Sequence, residues 1–277
     1  MSAVRAASKA KPKPPQPELA GAGSRVKRRN YGKGHGYTID GVKADGVTTL
    51  IGEGIPKPAL INWAANTTAG YAVDHWDELG ELPVSKRLDV LKGARYADVD
   101  QAAQKGTAVH ELAERILHGE EVQVPDELAP YVNNAVRFLD EWKIRPILSE
   151  TVVYSLRGKY AGTLDMVVTS DLLPGKVILA DWKTSRSGIY GEAALQLSAY
   201  ANSDFYVDAN GVDQPTSALG ITDHWGIWVR PDGYDVLPLD NSAETFRTFQ
   251  YAATVARRAR GLMELRGSAL VRPDVAS

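Results

Sequence analysis

A carboxylate and an ammonium group end one of the most hydrophobic stretches of this sequence. Residues 176–185 read KVILADWKTS, so Asp181 and Lys183 interrupt a run of residues that favour burial. Burying a charge is costly unless the charge is paired or coordinates a metal. Because residues i and i+2 of a strand point to the same face, Asp181 and Lys183 are predicted to share one side, with Trp182 on the other.

A second acid ends the preceding β-type run, YAGTLD, at Asp165. If the runs 160–169 and 176–183 pair as neighbouring strands, Asp165 comes close to Asp181. Two adjacent carboxylates repel, and one takes up a proton unless a cation lies between them. Hard oxygen ligands suit Mg²⁺ or Mn²⁺, so this pair predicts a metal site. Lys183 would lie beside the metal, where it can orient a water or offset charge on a phosphate.

The alternative is an ordinary ion pair at a strand end, which is the commoner explanation of an isolated D-x-K pattern. Three neighbouring patterns favour the metal site. The stretch GTLD places a glycine before the strand acid, and GTAVHE places His110 on an otherwise apolar helix. The stretch QLSAY places Gln196 and Tyr200 four residues apart, on one face of the helix that follows. Each pattern is weak alone, so the prediction rests on their combination.

In this order, the patterns G-x-x-x-H, G-x-x-D, D-x-K and Q-x-x-x-Y resemble the RecB-type branch of the PD-(D/E)XK nuclease superfamily. They occupy residues 106–110, 162–165, 181–183 and 196–200. The upstream residues 47–76 are also similar to the N-terminal region of phage-encoded RecB-like exonucleases. The resemblance therefore extends over about residues 35–260.

The resemblance implies a site for one or two Mg²⁺ or Mn²⁺ ions. Its ligands would be Asp165, Asp181 and the backbone carbonyl of Trp182, with His110 as a further ligand to the metal or its water. The implied fold is α/β, with a restriction-endonuclease-like αβββαβ core, a small mixed sheet flanked by helices, and extra N-terminal helices.

The resemblance also assigns roles beside the metal. Lys183 would position or activate the attacking water, while Gln196 and Tyr200 would support the site or contact the DNA strand. Glu111 follows His110 but points about a third of a turn away, so only a minor role is expected for it. Glu150, at the start of the first strand, is a weaker candidate for the same cleft.

The implied activity is metal-dependent hydrolysis of phosphodiester bonds in DNA, by an exonuclease rather than an endonuclease. The expected substrate is linear duplex DNA or single-stranded ends. The expected setting is recombination, replication or repair in the cytoplasm of a bacterial cell, with a phage as the source of the gene. A single-strand annealing protein or a helicase is the implied partner. Two alternatives stay open: a catalytically inactive nucleic-acid-binding component of a recombination complex, and a small-molecule phosphohydrolase.

Composition excludes several classes of protein. The chain of 277 residues contains no cysteine, which excludes disulfides, thiolate zinc sites and iron–sulfur clusters. Several RecB-like relatives carry cysteines for such a cluster, so any cluster-dependent role is excluded here. No apolar run approaches the roughly 18 residues of a membrane span, so no membrane partner is expected.

Charge is distributed unevenly along the chain. Residues 1–36 contain nine Lys or Arg and one Glu, which leaves a net charge of −10 for the remainder of a chain with net charge −2. This Pro-, Gly- and Lys-rich segment is predicted to be a disordered basic tail. It would be either a solvated linker or a tether that contacts phosphates.

Residues 37–277 are predicted to form a single nuclease domain. It comprises an N-terminal hairpin and helices (37–99), a catalytic core (100–240), and a C-terminal helix and tail (241–277). The Asp40-Gly41 pair predicts a tight hairpin turn, and Pro58 predicts the start of a helix. Further helices are predicted around 84–94, 98–118, 125–143, 191–206 and 241–266, and strands around 149–156, 160–169, 176–183, 223–230 and 233–239. Gly119 is predicted to lie beyond the end of the second of these helices as its C-cap.

Two groups of side chains are candidates for DNA contact outside the metal site. Arg257, Arg258 and Arg260 near the end of the last helix would bind phosphates or simply complement the helix dipole. The aromatic residues Tyr160, Trp182, Tyr190 and Tyr200 would stack on bases of a frayed end or pack in the core.

Overall fold

A computed structural model describes residues 23–31 and 34–270 of the chain, without the side chains of residues 97–103. In this part of the chain, ten strands form one mixed sheet flanked by helices. The strands are β1 (Val26–Tyr31), β2 (Gly34–Ile39), β3 (Val42–Gly46), β4 (Ile144–Ser155), β5 (Tyr160–Ser170), β6 (Ile178–Lys183), β7 (Phe205–Val207), β8 (Asp213–Pro215), β9 (Asp223–Arg230) and β10 (Gly233–Leu239). The helices are α1 (Val47–Gly54), α2 (Pro58–Asp74), α3 (Trp76–Gly80), α4 (Val84–Leu117), α5 (Ala129–Glu141), α6 (Glu192–Ala201) and α7 (Ala243–Arg260), with short 3₁₀ turns at Thr216–Leu219 and Leu262–Leu265.

The central sheet runs in the order β10-β9-β6-β5-β4-β7-β8. Its neighbouring strands are antiparallel except β6 and β9, which are parallel and in register from Ile178↔Asp223 to Lys183↔Trp228. The antiparallel strands β1, β2 and β3 join this sheet through β3, whose last two residues pair parallel to the start of β5. The arrangement is the α/β class expected from the sequence.

Two hydrophobic cores lie on opposite faces of the sheet. On one face, Leu50, Leu197 and Phe249 bring α1, α6 and α7 together over the strands. On the other face, Ala113 of α4 and Phe138 of α5 pack against β5, β6 and β9. None of the described helices is long and apolar enough to cross a membrane. The strands between the two helical layers are therefore buried on both sides, which is why they read as nearly continuous hydrophobic runs.

Several local predictions are confirmed. The Asp40-Gly41 turn joins β2 and β3, and both residues have positive φ, 51° and 80°. This is the pattern of a type I′ hairpin turn, whose twist matches that of the strands. Pro58 begins α2, and Gly119, with a φ of 76°, lies two residues beyond the end of α4. Each of these signals depends on a backbone preference of one or two residues, so it is readable locally.

The predicted boundary of the basic tail at residue 36 differs from the structure. Strand β1 begins at Val26 and pairs with β2 along its whole length, from Val26↔Ile39 to Tyr31↔Gly34. Val26 and Tyr37 are buried against β4 and β5, and this contact orders a stretch whose average composition is that of a tail. The rest of the tail prediction, residues 1–22, 32 and 33, lies outside the described residues.

Other boundaries also differ. The predicted helices at 84–94 and 98–119 form one continuous helix, α4, because the sequence between them contains no proline or other strong helix breaker. Helix α1 has no counterpart among the predicted elements, since its VTTL segment has the composition of a strand. Strand β4 begins at Ile144, five residues before the prediction, and strands β7 and β8 are too short to leave a periodic pattern.

His224 on β9 is a buried polar residue with an unsatisfied ring nitrogen. Its side chain is 4% exposed, and Nδ1 has no hydrogen-bond partner in the described part of the chain. Its cross-strand neighbours are Leu179 on β6 and Leu239 on β10. Burial lowers the pKa of His224 to about 4, although the charges of Asp223 and Asp240 act in the opposite direction. The folded protein therefore holds this imidazole neutral.

The buried imidazole should make stability depend on pH. Between pH 6.5 and 4 the unfolded chain binds a proton at His224 that the folded protein does not bind, so unfolding is favoured as the pH falls. From about pH 7 to about pH 5, the free energy of unfolding of the wild type should fall by about 2 kcal/mol more than that of His224→Leu. Urea denaturation of both proteins at the two pH values measures this difference. Parallel pH dependences would contradict the assignment.

Candidate active site

Asp165 and Asp181 meet where β5 and β6 separate. The antiparallel ladder of these strands includes Met166↔Ala180, so Asp165 and Asp181 are the next facing positions along it. There the ladder ends, and the backbone N–H of Trp182 donates to Asp165 Oδ2 at 2.8 Å. The expectation that the two strands are neighbours and bring these acids together is confirmed. At the end of the ladder, the Asp165 carboxylate therefore accepts the hydrogen bond that a backbone carbonyl would accept in a continuing ladder.

The site opens at a gap in the sheet edge. On this edge β5 pairs with β3 at Tyr160 and Ala161 and with β6 from Met166 to Val168. The described strands leave residues 162–165 between these two ladders without a strand partner on that side. The gap lets side chains from helices reach the strand that carries Asp165.

The opposite edge of β5 is distorted at the same point. Glu150 of β4, which faces Asp165 across the ladder, has a φ of 43° and does not pair with it. Left-handed backbone is unfavourable for a glutamate and marks local strain. Leu164 and Val167 pack in the same core although they are three positions apart, an odd spacing that would place them on opposite faces of a regular strand, so the alternation of β5 changes at Asp165. The irregularity at Glu150 and Asp165 changes the face of the sheet to which the neighbouring side chains of β5 point.

Asp181 is held by two side chains. It is 2% exposed; its Oδ2 contacts the Lys183 ammonium, and its Oδ1 accepts a hydrogen bond from Gln196 Nε2 at 2.9 Å. The prediction that Asp181 and Lys183 share a face is confirmed. Trp182 points to the other face, where its ring packs edge-on against Phe138 at 5.5 Å.

Electrostatics set the charge state of this group. Burial raises the pKa of Asp165 to about 6, and the neighbouring Asp181 carboxylate adds to the effect. Burial lowers the pKa of Lys183, but the Asp181 and Asp165 carboxylates outweigh it, so the net shift is upward. Lys183 is therefore held as an ammonium.

His110 on α4 contributes a side chain to the site from outside the sheet. Its Nδ1 lies 3.4 Å from Asp165 Oδ2. One turn earlier, Gly106 allows α4 to approach the end of β6, because a Cβ there would lie 3.0 Å from Thr184 Oγ1. In the G-x-x-x-H pattern, the glycine therefore permits the close approach of α4 to β6, and this approach places the histidine within reach of Asp165.

Tyr200 lies behind Gln196, in the protein interior. Its side chain is 3% exposed, and its hydroxyl accepts a hydrogen bond from Gln196 Nε2 at 3.4 Å. Burial raises the pKa of Tyr200 well above its usual value. A Cβ at Gly162 would lie 2.3 Å from Tyr200 Cε1, so the glycine of the G-x-x-D pattern is what lets this ring cross β5. The position suits support of the site better than contact with DNA.

The structure brings together all the predicted side chains, namely His110, Asp165, Asp181, Lys183, Gln196 and Tyr200. The Trp182 main chain lies at the site through its N–H group, while the role of its carbonyl stays a prediction. Glu150 belongs to the same surroundings. Burial raises its pKa to about 8, and the charges of Asp165, Glu114 and Glu111 act in the same direction.

Two residues near the site come from the segment around the tail boundary. The Tyr37 hydroxyl lies 2.9 Å from Thr163 Oγ1, two residues before Asp165. Arg28 lies opposite Tyr37 in the β1–β2 ladder, and its charge opposes, without cancelling, the rise in the pKa of Glu150. Arg28 Nε is buried without a hydrogen bond in the described part of the chain. No sequence pattern marks these contacts, because they join residues more than a hundred positions apart.

The arginine cluster of α7 is mostly used within the fold. Arg257 and Arg260 bind opposite oxygens of Asp45, at 2.8 and 2.5 Å, and Arg260 also binds Glu53 at 2.7 Å. These pairs attach α7 to β3 and α1. Arg258 and Arg260 are both exposed, and Arg258 forms no ion pair with the described residues. The structural interpretation of the cluster therefore accounts for two of its three guanidinium groups.

The oxygen donors at this site have the chemistry, but not the complete arrangement, of a site for a hard divalent cation. In the described residues, no three His, Asp or Glu side chains are arranged as a ready-made metal site. The chemistry of the donors nevertheless fits such an ion. Asp181 Oδ2 is buried and touches the Lys183 ammonium without accepting a well-oriented hydrogen bond, and a second carboxylate, Asp165, lies beside it. Both acids would gain from a shared cation.

Comparisons with known proteins do not identify a family. No protein-family model matches the chain, and no curated protein matches it. A similar solved structure is titled "Crystal structure of SSO0001". It shares 15% sequence identity over 80% of this chain and 76% of that chain, with a TM-score of 0.32. At that degree of similarity, the likeness carries no argument about function.

Proposed function

We propose that this protein is a metal-dependent deoxyribonuclease that hydrolyses phosphodiester bonds. The observation that carries the proposal is the convergence of Asp165, Asp181 and Lys183 at the end of the β5–β6 ladder. Two carboxylates and one ammonium at a gap in a sheet match the needs of phosphoryl transfer, which is positioning and charge stabilisation.

The order of elements supports a PD-(D/E)XK core. Helix α5, strands β4, β5 and β6, helix α6 and strand β9 occur in the order α-β-β-β-α-β, with the short strands β7 and β8 and a 3₁₀ turn inserted between α6 and β9. The two acids and the lysine lie on the second and third strands, and Gln196 lies on the helix that follows them. This arrangement agrees with the motif resemblance in the sequence and extends it to three dimensions.

The metal would be Mg²⁺ or Mn²⁺, held by Asp165 and Asp181, with His110 and the Trp182 carbonyl as further donors. Such an ion would lower the pKa of a bound water and offset charge on the phosphate. The chain's own groups keep the acids in place: the Trp182 N–H orients Asp165, and Gln196 orients Asp181. The resulting donors are fixed before substrate arrives.

Lys183 acts in this proposal as a cation. Because the carboxylates hold it protonated, it is poorly suited to removing a proton from water. It is well suited to stabilising negative charge that develops on the phosphate, or to orienting the attacking water through an N–H donor. The ammonium would exchange part of its contact with Asp181 for contact with the phosphate.

The biological setting remains part of the proposal. The protein would be an exonuclease rather than an endonuclease, acting on linear DNA in phage or bacterial recombination, replication or repair. It would work in the cytoplasm beside an annealing protein or a helicase. These elements rest on the motif resemblance alone.

A second candidate is a catalytically inactive nucleic-acid-binding component of a recombination complex. The contact between Lys183 and Asp181 favours it, since an ammonium already compensates the acid that a metal would need. Incubating the protein with end-labelled linear DNA and closed circular DNA in Mn²⁺ separates the candidates. The nuclease should shorten the linear DNA only when metal is present. Intact DNA under every metal condition would favour the binding component.

Replacing Lys183 should remove catalysis. Lys183→Ala is expected to lower kcat by about 100- to 1,000-fold, the usual effect of deleting one donor that stabilises transition-state charge. The matched control is Lys176→Ala, since Lys176 precedes the same strand and forms an exposed ion pair with Asp223. Single-turnover cleavage of labelled DNA, with circular dichroism to verify folding, measures the effect. Wild-type rates in Lys183→Ala would remove this residue from the mechanism.

Replacing Asp165 should weaken metal binding. Asp165→Asn removes the charge of one proposed ligand but keeps its shape, so affinity for Mn²⁺ is expected to fall at least about tenfold. Calorimetric titration with Mn²⁺ in the absence of DNA measures it independently of activity. Asp171→Asn, at the exposed end of β5 beside Arg145, is the control. An unchanged titration for Asp165→Asn would make Asp165 a structural residue.

A further inference from the structure

A cavity opens directly onto the proposed catalytic residues. It has a volume of about 240 Å³ and lies between α1, the start of α6 and the loop at residues 184–191. Lys183 and Gln196 form part of its wall, and Tyr190 lines it from the loop side. Lys183 is therefore reached from this side of the sheet, because the opposite face is filled by Trp182 and Phe138.

The loop at residues 184–191 is held in a defined conformation. The indole N–H of Trp228 donates to the Ser185 carbonyl at 2.7 Å, and the Ser185 hydroxyl donates to the Gly188 carbonyl at 2.5 Å. The Tyr190 hydroxyl donates to Ser187 Oγ at 2.7 Å. These bonds hold residues 185–188 and the Tyr190 hydroxyl, and the Ala193 N–H donates to the Tyr190 carbonyl at 3.0 Å. Tyr190 nevertheless stays 60% exposed.

Tyr190 differs from the other aromatic residues that the sequence suggests for base stacking. Tyr160, Trp182 and Tyr200 are each 3% exposed and belong to the cores. Their rings cannot present a free face to a nucleobase. Tyr190 combines a free face, a fixed position and a place beside Lys183, so it retains this role after the structure removes the other three.

The charges around the cavity also suit a nucleotide. Lys57 precedes α2 and lies 3.6 Å from Glu192 at the start of α6. Both residues line the cavity together with Lys183, whereas Asp165 and Asp181 do not line it. The ammonium groups of Lys57 and Lys183 are therefore the cations at the cavity wall, and each already contacts a carboxylate. A phosphate would compete for these contacts, and Lys57 can exchange its exposed pair with Glu192 for one with the DNA backbone.

We propose that this cavity is a subsite for one unpaired nucleotide adjacent to the scissile phosphate, with Tyr190 stacking on its base. The inference rests on the proposed function, because it takes Lys183 as the residue beside that phosphate. The volume of about 240 Å³ is below the roughly 300–1,000 Å³ of pockets that enclose drug-sized ligands. In this proposal the cavity holds one nucleotide and not a base pair, so the DNA end enters it single-stranded or frayed.

The test uses the full chain with Ca²⁺ in place of Mg²⁺, so that binding is measured without cleavage. The probes are oligodeoxynucleotides that carry the fluorescent base 2-aminopurine at the 5′ or the 3′ end, either single-stranded or in a blunt duplex. The variants are Tyr190→Ala, Tyr190→Phe and Tyr251→Ala. Tyr251 is the matched control because it is 63% exposed and lies on α7, outside the cavity.

Stacking should quench 2-aminopurine at one of the two ends in the wild type, Tyr190→Phe and Tyr251→Ala, but not in Tyr190→Ala. Loss of one stacked ring should weaken single-strand binding about tenfold. In cleavage assays with Mg²⁺, Tyr190→Ala should change KM more than kcat. The wild type should cleave frayed ends faster than blunt ends.

The outcomes separate the two proposals. If the wild type cleaves DNA and Tyr190→Ala binds and quenches like Tyr251→Ala, the subsite is wrong and the nuclease proposal stands. If Tyr190-dependent quenching occurs but no metal supports cleavage, the nuclease proposal fails, and the cavity is a base-stacking site of a nucleic-acid-binding protein instead of a subsite beside a scissile phosphate. A wild type that binds none of the probes would overturn both.

Discussion

The repulsion between two buried carboxylates is the constraint around which this structure is arranged. Asp165 and Asp181 occupy facing positions at the end of the β5–β6 ladder, and burial with mutual repulsion raises the pKa of Asp165 to about 6. One ammonium, Lys183, compensates them in part. Two acids against one amine leave an excess negative charge near neutral pH. A shared cation would compensate this imbalance, which is the physical basis of the proposed metal site.

The fold keeps the acids together by interrupting its own regularity. The sheet edge is open between β3 and β6, the β4–β5 ladder is broken at Glu150, and two glycines admit α4 and Tyr200 at distances that a side chain would prevent. The open edge leaves backbone groups of β5 without a partner among the described strands, and the positive φ of Glu150 adds strain. Such departures are the usual character of a functional site in an otherwise regular sheet.

The sequence predicts the parts of the site that depend on short spacings. The i, i+2 rule places Asp181 and Lys183 on one face, and the i, i+4 rule places Gln196 and Tyr200 together; the structure confirms both. It does not predict the contributions of Arg28, whose strand resembles a tail by composition. Only pairing with β2 and burial of Val26 reveal that this segment is part of the fold. Composition averages over a window, whereas one buried anchor can order a strand.

The site is accessible from one face of the sheet and covered on the other. On the face of Trp182, aromatic rings and α5 close the approach to the strand completely. On the face of Asp181 and Lys183, α1 and α6 leave a cavity between them. Because Lys183 belongs both to the acid pair and to the cavity wall, whatever enters the cavity meets its ammonium before it meets the carboxylates. A phosphate that enters by this path would therefore contact the Lys183 ammonium first, with the two carboxylates behind it.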